Sequence, residues 1–388
     1  MGDTPDPRVS TPPTAPRKPR WAGALAVLAL AVVCAAVVAT SWKARQAGPV
    51  DIDAKLAEMD SRNAQLLDRA RRGEPDPDGR ALLLADLRDL QRIAPDHVGV
   101  AELHDTVLLR ELQSLLHGAL QDGADPSPLL ADVAGLPERR PGWVDAHVLH
   151  GQLHLTLGGR EPARVAFTRA TELRPDDAAL HGLIGALWMN AGHGQEAAGA
   201  YADAVALRPD RLEAWLTLGL AHASVEGWDE AVAAYARGAE VDPVEPRLVA
   251  AWAEAESRLG RHDRAAQLWS AAIRWGEARG AEPDALWAYR LAQARGVLRR
   301  GDVDSAWTLL EGLPVEARAL SSAGGLAEQI AEAQGDPARA LRYYADVVAR
   351  RPGDPKLLRE AERYARSVGE SQPADRYARM LHRLGVDG

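Results

Sequence analysis

The chain has 388 residues, which is enough for a large hydrophobic core or for a long array of repeats. Aromatic residues make up only 5% and few segments show strand-like alternation, so the sequence predicts an all-α protein. The net charge of −9 argues against a general nucleic-acid binder, and the single cysteine, Cys34, excludes an intramolecular disulfide and paired-cysteine redox or haem sites. No phosphate-binding loop, dinucleotide fingerprint, zinc-protease motif or serine-hydrolase motif occurs, so we predict no enzymatic activity and no cofactor.

The N-terminal region predicts a tail followed by a membrane anchor. Residues 1–20 are rich in proline and threonine, a composition that predicts a disordered tail. Residues 21–42 carry no formal charge and have tryptophan at both ends, which predicts a single transmembrane helix. A cleaved signal peptide is the alternative, but the apolar stretch is long for one and Val38–Ser41 is a poor cleavage site.

The charges around this segment predict its orientation. Four basic residues precede it, and Lys43, Arg45 and Lys55 follow it. The positive-inside rule then places the N-terminus in the cytoplasm. The rest of the chain is expected on the periplasmic or extracytoplasmic side of a bacterial inner (plasma) membrane, with the inverted orientation as the alternative.

Residues 43–79 predict a juxtamembrane helix and a linker. Between residues 52 and 70, apolar positions recur at alternating spacings of four and three, with Asn63 at a position where coiled coils use asparagine to specify a parallel pair. This pattern raises the hypothesis of a homodimer through residues 52–70. The alternative, which we favour because the pattern is short, is that the stripe packs on the helices that follow. Residues 73–79 are rich in helix breakers and form the linker.

Residues 80–142 predict a divergent helical repeat. Two amphipathic segments, 80–94 and 97–121, are separated by Pro95 and Asp96, and a short helix is expected near 128–134.

A regular period organises the core region, 143–279. Three prolines lie 34 residues apart, and each is preceded at fixed distances by a glycine, an alanine and an aromatic residue. Such a period predicts stacked helix–turn–helix units, because one hairpin cannot bury both of its apolar faces. The first unit predicts helices at 144–157 and 162–173. The landmark positions are Pro175, Pro209 and Pro243; Gly151, Gly185 and Gly219; Ala163, Ala197 and Ala231; and Phe167, Tyr201 and Tyr235. The small residues allow close approach of the two helices, and Phe167 is expected to fill the gap to the next unit.

The pattern continues less regularly toward the C-terminus. A fourth unit, 246–279, keeps the aromatic and alanine positions but lacks the terminal proline. Residues 280–388 predict further helix pairs at 284–313, 321–354 and 355–386.

These repeats resemble the tetratricopeptide-repeat (TPR) family, and the whole chain resembles a membrane-anchored bacterial TPR protein. The resemblance implies an α-solenoid whose first helices line a concave groove that binds a protein or peptide. The basic residues with which some TPR domains clamp a carboxylate terminus are mostly lacking, so a peptide with apolar side chains is the expected ligand. The groove residues that the TPR pattern implies are Gln152, Leu155, Ala186, Met189, Asn190, Leu216, Leu220 and Glu254.

Three histidines suggest a different site. His147, His150 and His154 share one face of a predicted helix and are candidates for binding a metal ion. In the TPR pattern, however, these positions hold packing residues, and we favour that interpretation.

We therefore predict a membrane-anchored scaffold without chemistry of its own, acting in the assembly or quality control of the cell envelope. Membrane-tethered TPR subunits of cytochrome c maturation are similar in outline, although their usual second membrane span is missing here. The alternatives are a metal-dependent protein that uses the histidine cluster and a purely structural oligomer of the envelope.

Overall fold

The structure is a computed structural model that describes residues 50–386. Within this range it consists of nineteen α-helices and one 3-10 turn at Ser127–Leu129, without a β-strand. The prediction of an all-α chain is therefore confirmed for the described residues. The helices are α1 Ile52–Arg71, α2 Pro77–Ile93, α3 Val98–Asp122, α4 Leu130–Arg139, α5 Val144–Thr156, α6 Arg160–Leu173, α7 Ala178–Asn190, α8 Gly194–Leu207, α9 Leu212–Ser224, α10 Trp228–Val241, α11 Pro246–Arg258, α12 His262–Ala278, α13 Pro283–Arg299, α14 Val303–Glu311, α15 Val315–Arg318, α16 Ser321–Gln334, α17 Pro337–Arg350, α18 Pro355–Ser367 and α19 Ser371–Arg383.

The predicted tail, 1–20, and the predicted membrane segment, 21–42, lie outside the described residues. Between residues 50 and 386, none of the helices combines the length and the apolar character needed to cross a membrane.

The chain divides into two compact units, one ending at Glu111 and the other beginning at Leu112, within α3. In the first unit, α1 packs along α2. Leu56 of α1 lies against Gly99, and Met59 is buried. Asn63 is also buried, and its Oδ1 accepts a hydrogen bond from Arg110 Nη1 at 3.3 Å. The apolar stripe of α1 is thus used within its own chain, so the structure does not support the homodimer through residues 52–70.

The second unit contains the regular repeats. Helices α5 to α12 form four consecutive antiparallel hairpins, and each hairpin packs on the next, as in a solenoid. The first hairpin has its helices at Val144–Thr156 and Arg160–Leu173, close to the predicted 144–157 and 162–173. Helix α7 begins at a side-chain cap: Asp177 accepts hydrogen bonds from the backbone N–H groups of Ala179 and Leu180, both at 3.1 Å.

The turn inside each hairpin needs a left-handed residue. Gly158, Gly192 and Gly260 occupy this place with φ values of 78°, 79° and 75°, at intervals set by the repeat. In the third hairpin the same place is held by Glu226, with φ of 60°, the one non-glycine residue of positive φ between residues 50 and 386. A side chain in this conformation is strained.

A glycine and an aromatic ring pack together in each of the first three hairpins. A Cβ atom added to Gly151 would lie 2.4 Å from Phe167 Cε1, and one added to Gly219 would lie 2.2 Å from Tyr235 Cε1. Such distances are impossible, so only glycine lets the second helix seat its ring against the first. The Phe167 ring also meets the Trp188 ring of the next hairpin edge-on, with centroids 5.4 Å apart, which confirms its predicted packing between units.

The C-terminal hairpins are α13–α14, α16–α17 and α18–α19, which correspond to the three predicted pairs. They share one hydrophobic cluster that includes the buried Tyr343 and Tyr344. The short helix α15 was not foreseen. It follows Pro314 and lies between the first and the second of these hairpins, after α14, which has only nine residues.

Candidate functional site

The predicted groove residues lie on α5, α7, α9 and α11, the first helices of the four regular hairpins. Helix α5 contacts α7, and α9 contacts α11, so within each of these two pairs the first helices lie side by side. The eight residues differ in exposure. Asn190 and Leu220 are exposed, Leu216 is buried, and the other five are half-buried, namely Gln152, Leu155, Ala186, Met189 and Glu254.

Leu216 requires a correction. Its side chain is only 5% exposed and packs in a cluster with Ala231, Tyr235 and Leu248. The residues of this cluster come from α9 and α10 of its own hairpin and from α11 of the next hairpin. Leu216 therefore stabilises the stack and does not offer a contact for a partner.

The remaining predicted groove residues of α5, α7 and α9 are uncharged and mostly apolar. Leu155 and Met189 rest with one side on the core cluster around Trp188. Leu220 is 42% exposed. Asn190 and Gln152 add amide groups without charge. We call this surface, made of Gln152, Leu155, Ala186, Met189, Asn190 and Leu220, the apolar strip.

The face of α11 is different, because its charged side chains are already paired. Glu254 accepts hydrogen bonds from Arg258 Nε at 2.8 Å and from Arg299 Nη1 at 3.1 Å. Arg247 contacts Glu213 of the preceding hairpin at 3.2 Å. Exposed ion pairs of this kind contribute about 0–1 kcal/mol each to stability, but they leave little free hydrogen-bonding capacity for a ligand. The predicted groove residue Glu254 is thus part of an ion-pair network.

His147 has a structural role that the repeat explains. Its Nε2 lies 2.9 Å from the carbonyl oxygen of Pro141. One repeat later, His181 Nε2 lies 3.1 Å from the carbonyl oxygen of Pro175. In the third hairpin, Trp215 Nε1 donates to the carbonyl oxygen of Pro209 at 2.8 Å. The same position therefore joins the start of each of the first three hairpins to the preceding turn, which supports the packing interpretation for His147.

His150 and His154 contact each other. Their Nε2 atoms are 2.9 Å apart and their ring centroids 4.6 Å, so one ring donates and the other accepts. Burial lowers the pKa of His150, and the neighbouring His154 and His147 lower it further. Burial also lowers the pKa of His154. Both rings are therefore held in the neutral form more strongly than a free imidazole.

The histidine pair lines a cleft of about 640 Å³ between α4, α5 and α6, whose other walls are mainly apolar. Pro137 of α4 and Val165 of α6 contribute to it. Among residues 50–386, no three or more His, Cys, Asp or Glu side chains are arranged to hold a metal ion. The three predicted candidates thus divide into one packing residue and one contacting pair.

A second cleft, of about 520 Å³, lies between α14, α15 and α17. It contains Trp307, Arg318 and Arg339, none of which the sequence indicated as a site. The one sequence signal was the density of arginine in α17, which is also typical of a solvated helix face.

The 34-residue period, the antiparallel hairpins and the paired glycine and aromatic positions together define a TPR-like solenoid within residues 144–278.

Comparison with known proteins gives the following similarities. No family model and no curated protein matches the sequence. Among solved structures, a tetratricopeptide repeat protein from Parabacteroides merdae is 14% identical, with 78% of this chain and 98% of that chain covered and a TM-score of 0.43. The pilF protein of Pseudomonas aeruginosa is 17% identical, with 60% and 98% covered and a TM-score of 0.39.

A chain of the APC/C hetero-tetramer Cut9–Hcn1 is 16% identical, with 74% of this chain covered and a TM-score of 0.39. The present chain spans 52% of its length. No function is transferred from these structures.

Proposed function

We propose that this protein is a scaffold that holds an extended or helical stretch of a partner polypeptide on the apolar strip. The observation that carries the proposal is the contrast between neighbouring first helices. The strip on α5, α7 and α9 is uncharged and includes Leu220, which is 42% exposed, whereas the face of α11 is closed by ion pairs. Apolar side chains of a partner gain free energy by leaving water on the first surface and would have to break ion pairs on the second.

This contrast also limits the partner. Its apolar side chains would lie over the strip, between residues 152 and 220, and a polar continuation would meet Arg247, Glu254 and Arg258. Ala186 is the small residue of the strip, so the bound segment can approach the backbone of α7 closely there.

We further propose that residues 21–42 anchor the scaffold in a bacterial inner membrane, with the repeats on the periplasmic or extracytoplasmic side. The support is the sequence: an uncharged stretch flanked by Trp21 and Trp42, with the larger basic charge before it. Tethering raises the effective concentration of a bound partner near other membrane components. A role in envelope assembly or quality control, of which cytochrome c maturation is one example, is consistent with this arrangement.

The strip is tested with the full-length chain, cross-linked to its partners in native membranes. Replacement of Leu220 by Asp is expected to weaken partner capture about tenfold, because a buried leucine contact contributes about 1.5 kcal/mol or more. Val241→Asp is the matched control, since Val241 is a 41% exposed aliphatic residue of a second helix, α10. Equal capture by both variants and the unmodified chain, with unchanged helicity, would contradict the proposal.

The anchor is tested separately by protease treatment of cells whose outer layers have been opened. If the orientation is right, the repeats are digested from outside while residues 1–20 are protected. Protection of the repeats would contradict it, and release of the chain by salt or carbonate washing would contradict the anchor itself.

A further inference from the structure

The second cleft lies where the repeat pattern is broken. Helix α14 has nine residues, whereas the second helices of the first two regular hairpins, α6 and α8, have fourteen. The four-residue helix α15 follows and brings Arg318 beside α17. The shortened helix leaves an open volume of about 520 Å³, within the range of ligand pockets.

Two guanidinium groups in this cleft are held against aromatic rings. The Cζ atom of Arg339 lies 4.3 Å from the ring centroid of Trp307. The Cζ atom of Arg318 lies 5.2 Å from the ring centroid of Tyr343, whose hydroxyl donates to the carbonyl oxygen of Arg318 at 2.6 Å. Contact with a ring restricts the plane of a guanidinium and leaves its N–H edges available, which favours the binding of oxyanions.

The hydrogen bonding of Arg318 is incomplete. The residue is 8% exposed, and its Nη2 lies 2.9 Å from the Asp346 carboxylate. Its Nε is buried without a hydrogen-bond partner. A buried cation with an unused donor is costly, and the positive charge of Arg318 is balanced only by Asp346.

Arginines outnumber carboxylates in the lining of the cleft. The lining contains Arg318, Arg339, Arg342 and Arg350 and two acids, Glu311 and Asp346, whereas two further carboxylates, Asp304 and Asp336, contact arginines at the rim. One of these acids, Asp346, is shared by Arg318 and by Arg350, which it meets at 3.2 Å. A carboxylate is thus already seated between two of the four guanidinium groups.

The other two guanidinium groups have weak partners at the rim. Arg339 donates a hydrogen bond to Gln334 Oε1 and lies 3.4 Å from Asp304, whose side chain is 88% exposed. Arg342 lies 3.1 Å from Asp336, whose side chain is 45% exposed. Because exposed pairs contribute little, an incoming anion that meets both guanidinium groups at once can displace these partners.

We propose that this cleft binds an acidic peptide segment of a partner protein, with a carboxylate between Arg339 and Arg342 and the adjoining chain beside Trp307. The volume exceeds that of a single small anion, which favours a side chain with its backbone. The lining comes from second helices and from α15, whereas the apolar strip belongs to first helices, so this site is separate from the one proposed above.

The test uses the full-length chain in detergent and a fluorescein-labelled hexa-aspartate peptide, with hexaserine and inorganic phosphate as comparison ligands. Arg342→Ala is expected to weaken peptide binding about fivefold, the most that an exposed ion pair contributes. Arg237→Ala, which removes an exposed arginine paired with Glu240 on α10, is the matched control and is expected to have no effect.

The rim acids give a second, opposite readout. Asp304→Asn and Asp336→Asn remove the competing carboxylates and are expected to tighten binding, each by up to about fivefold. A residue that only stabilised the fold would not produce gains at one set of positions and losses at the other.

The proposal is overturned if hexa-aspartate binds no better than hexaserine, or if Arg342→Ala and Arg237→Ala behave alike. It is also overturned if inorganic phosphate displaces the peptide at equal concentration, because the site would then be one for a free anion. All variants are checked for unchanged helicity by circular dichroism. Leu220→Asp is expected to leave this binding unaffected, so failure here is distinguishable from failure of the apolar strip.

Discussion

The hairpins α7–α8 and α9–α10 and the segment α14–α17 are built by different rules. In the two hairpins, Gly185 and Gly219 receive the rings of Tyr201 and Tyr235, and the second helices have fourteen residues. In α14–α17, a nine-residue helix is followed by the inserted helix α15, and arginines face an open cleft. The cleft at His150 and His154 also lies beside a short helix, the ten-residue α4, which contains Pro137.

The difference shows where a repeat protein has room for a site. A regular hairpin fills the space beside its neighbour, and only its first-helix face remains available. When a helix is short, side chains of the neighbouring helices line an open cleft instead of packing against it. Regular repeats therefore provide stability and an extended surface, and the interruptions provide cavities.

The largest effect is expected from filling the space of a packing glycine. A Cβ atom at Gly185 would lie 2.8 Å from Tyr201 Cδ1, so Gly185→Ala should lower the free energy of unfolding by about 1–3 kcal/mol. In the same helix, a Cβ atom at Gly182 would meet nothing within 4 Å, so Gly182→Ala should raise it by about 0.5–1 kcal/mol. Urea unfolding of both variants measures the two free energies. If Gly185→Ala is as stable as Gly182→Ala, or more stable, the packing interpretation is contradicted.

A smaller effect is expected at the one regular turn that lacks its glycine. Glu226 adopts φ of 60°, so Glu226→Gly should relieve strain and raise the free energy of unfolding by about 0.5–1 kcal/mol. Glu226→Ala keeps the Cβ atom and is the control, for which no such gain is expected. The thermal midpoints of the two variants decide the matter, and a loss of stability in Glu226→Gly would count against the interpretation of strain.

The smallest effect concerns pH and the first regular hairpin. Burial and neighbouring histidines lower the pKa of His150 below its ordinary value of 6.5, so the folded state binds fewer protons than the unfolded state. The stabilisation is fully present above pH 6.5, and it is lost as the pH falls from there through the lowered pKa of the folded state. Unfolding measured on both sides of this value should show a smaller loss in His150→Ile, which carries the residue found at 184 in the next repeat. An equal loss in both proteins would show that the pair does not couple to folding.

The sequence by itself determined the repeat, because its signals are local. Prolines and glycines at a fixed period mark where helices end, and the small residues Gly151 and Ala163 mark where two helices approach closely. The same period predicts His147 as a packing residue, in agreement with its hydrogen bond to the carbonyl oxygen of Pro141.

The tertiary structure alone decided which of these residues are available to a ligand. Leu216 occupies a groove position in the repeat pattern, but it is buried in a cluster that includes Leu248 of the next hairpin. Glu254 accepts a hydrogen bond from Arg299 of α13. Arg339 contacts the ring of Trp307 beside the short helix α14 and the inserted helix α15, which the repeat pattern does not predict. Local signals set the course of the backbone, whereas exposure and charge pairing depend on side chains that arrive from other hairpins, and only the packed molecule brings those together.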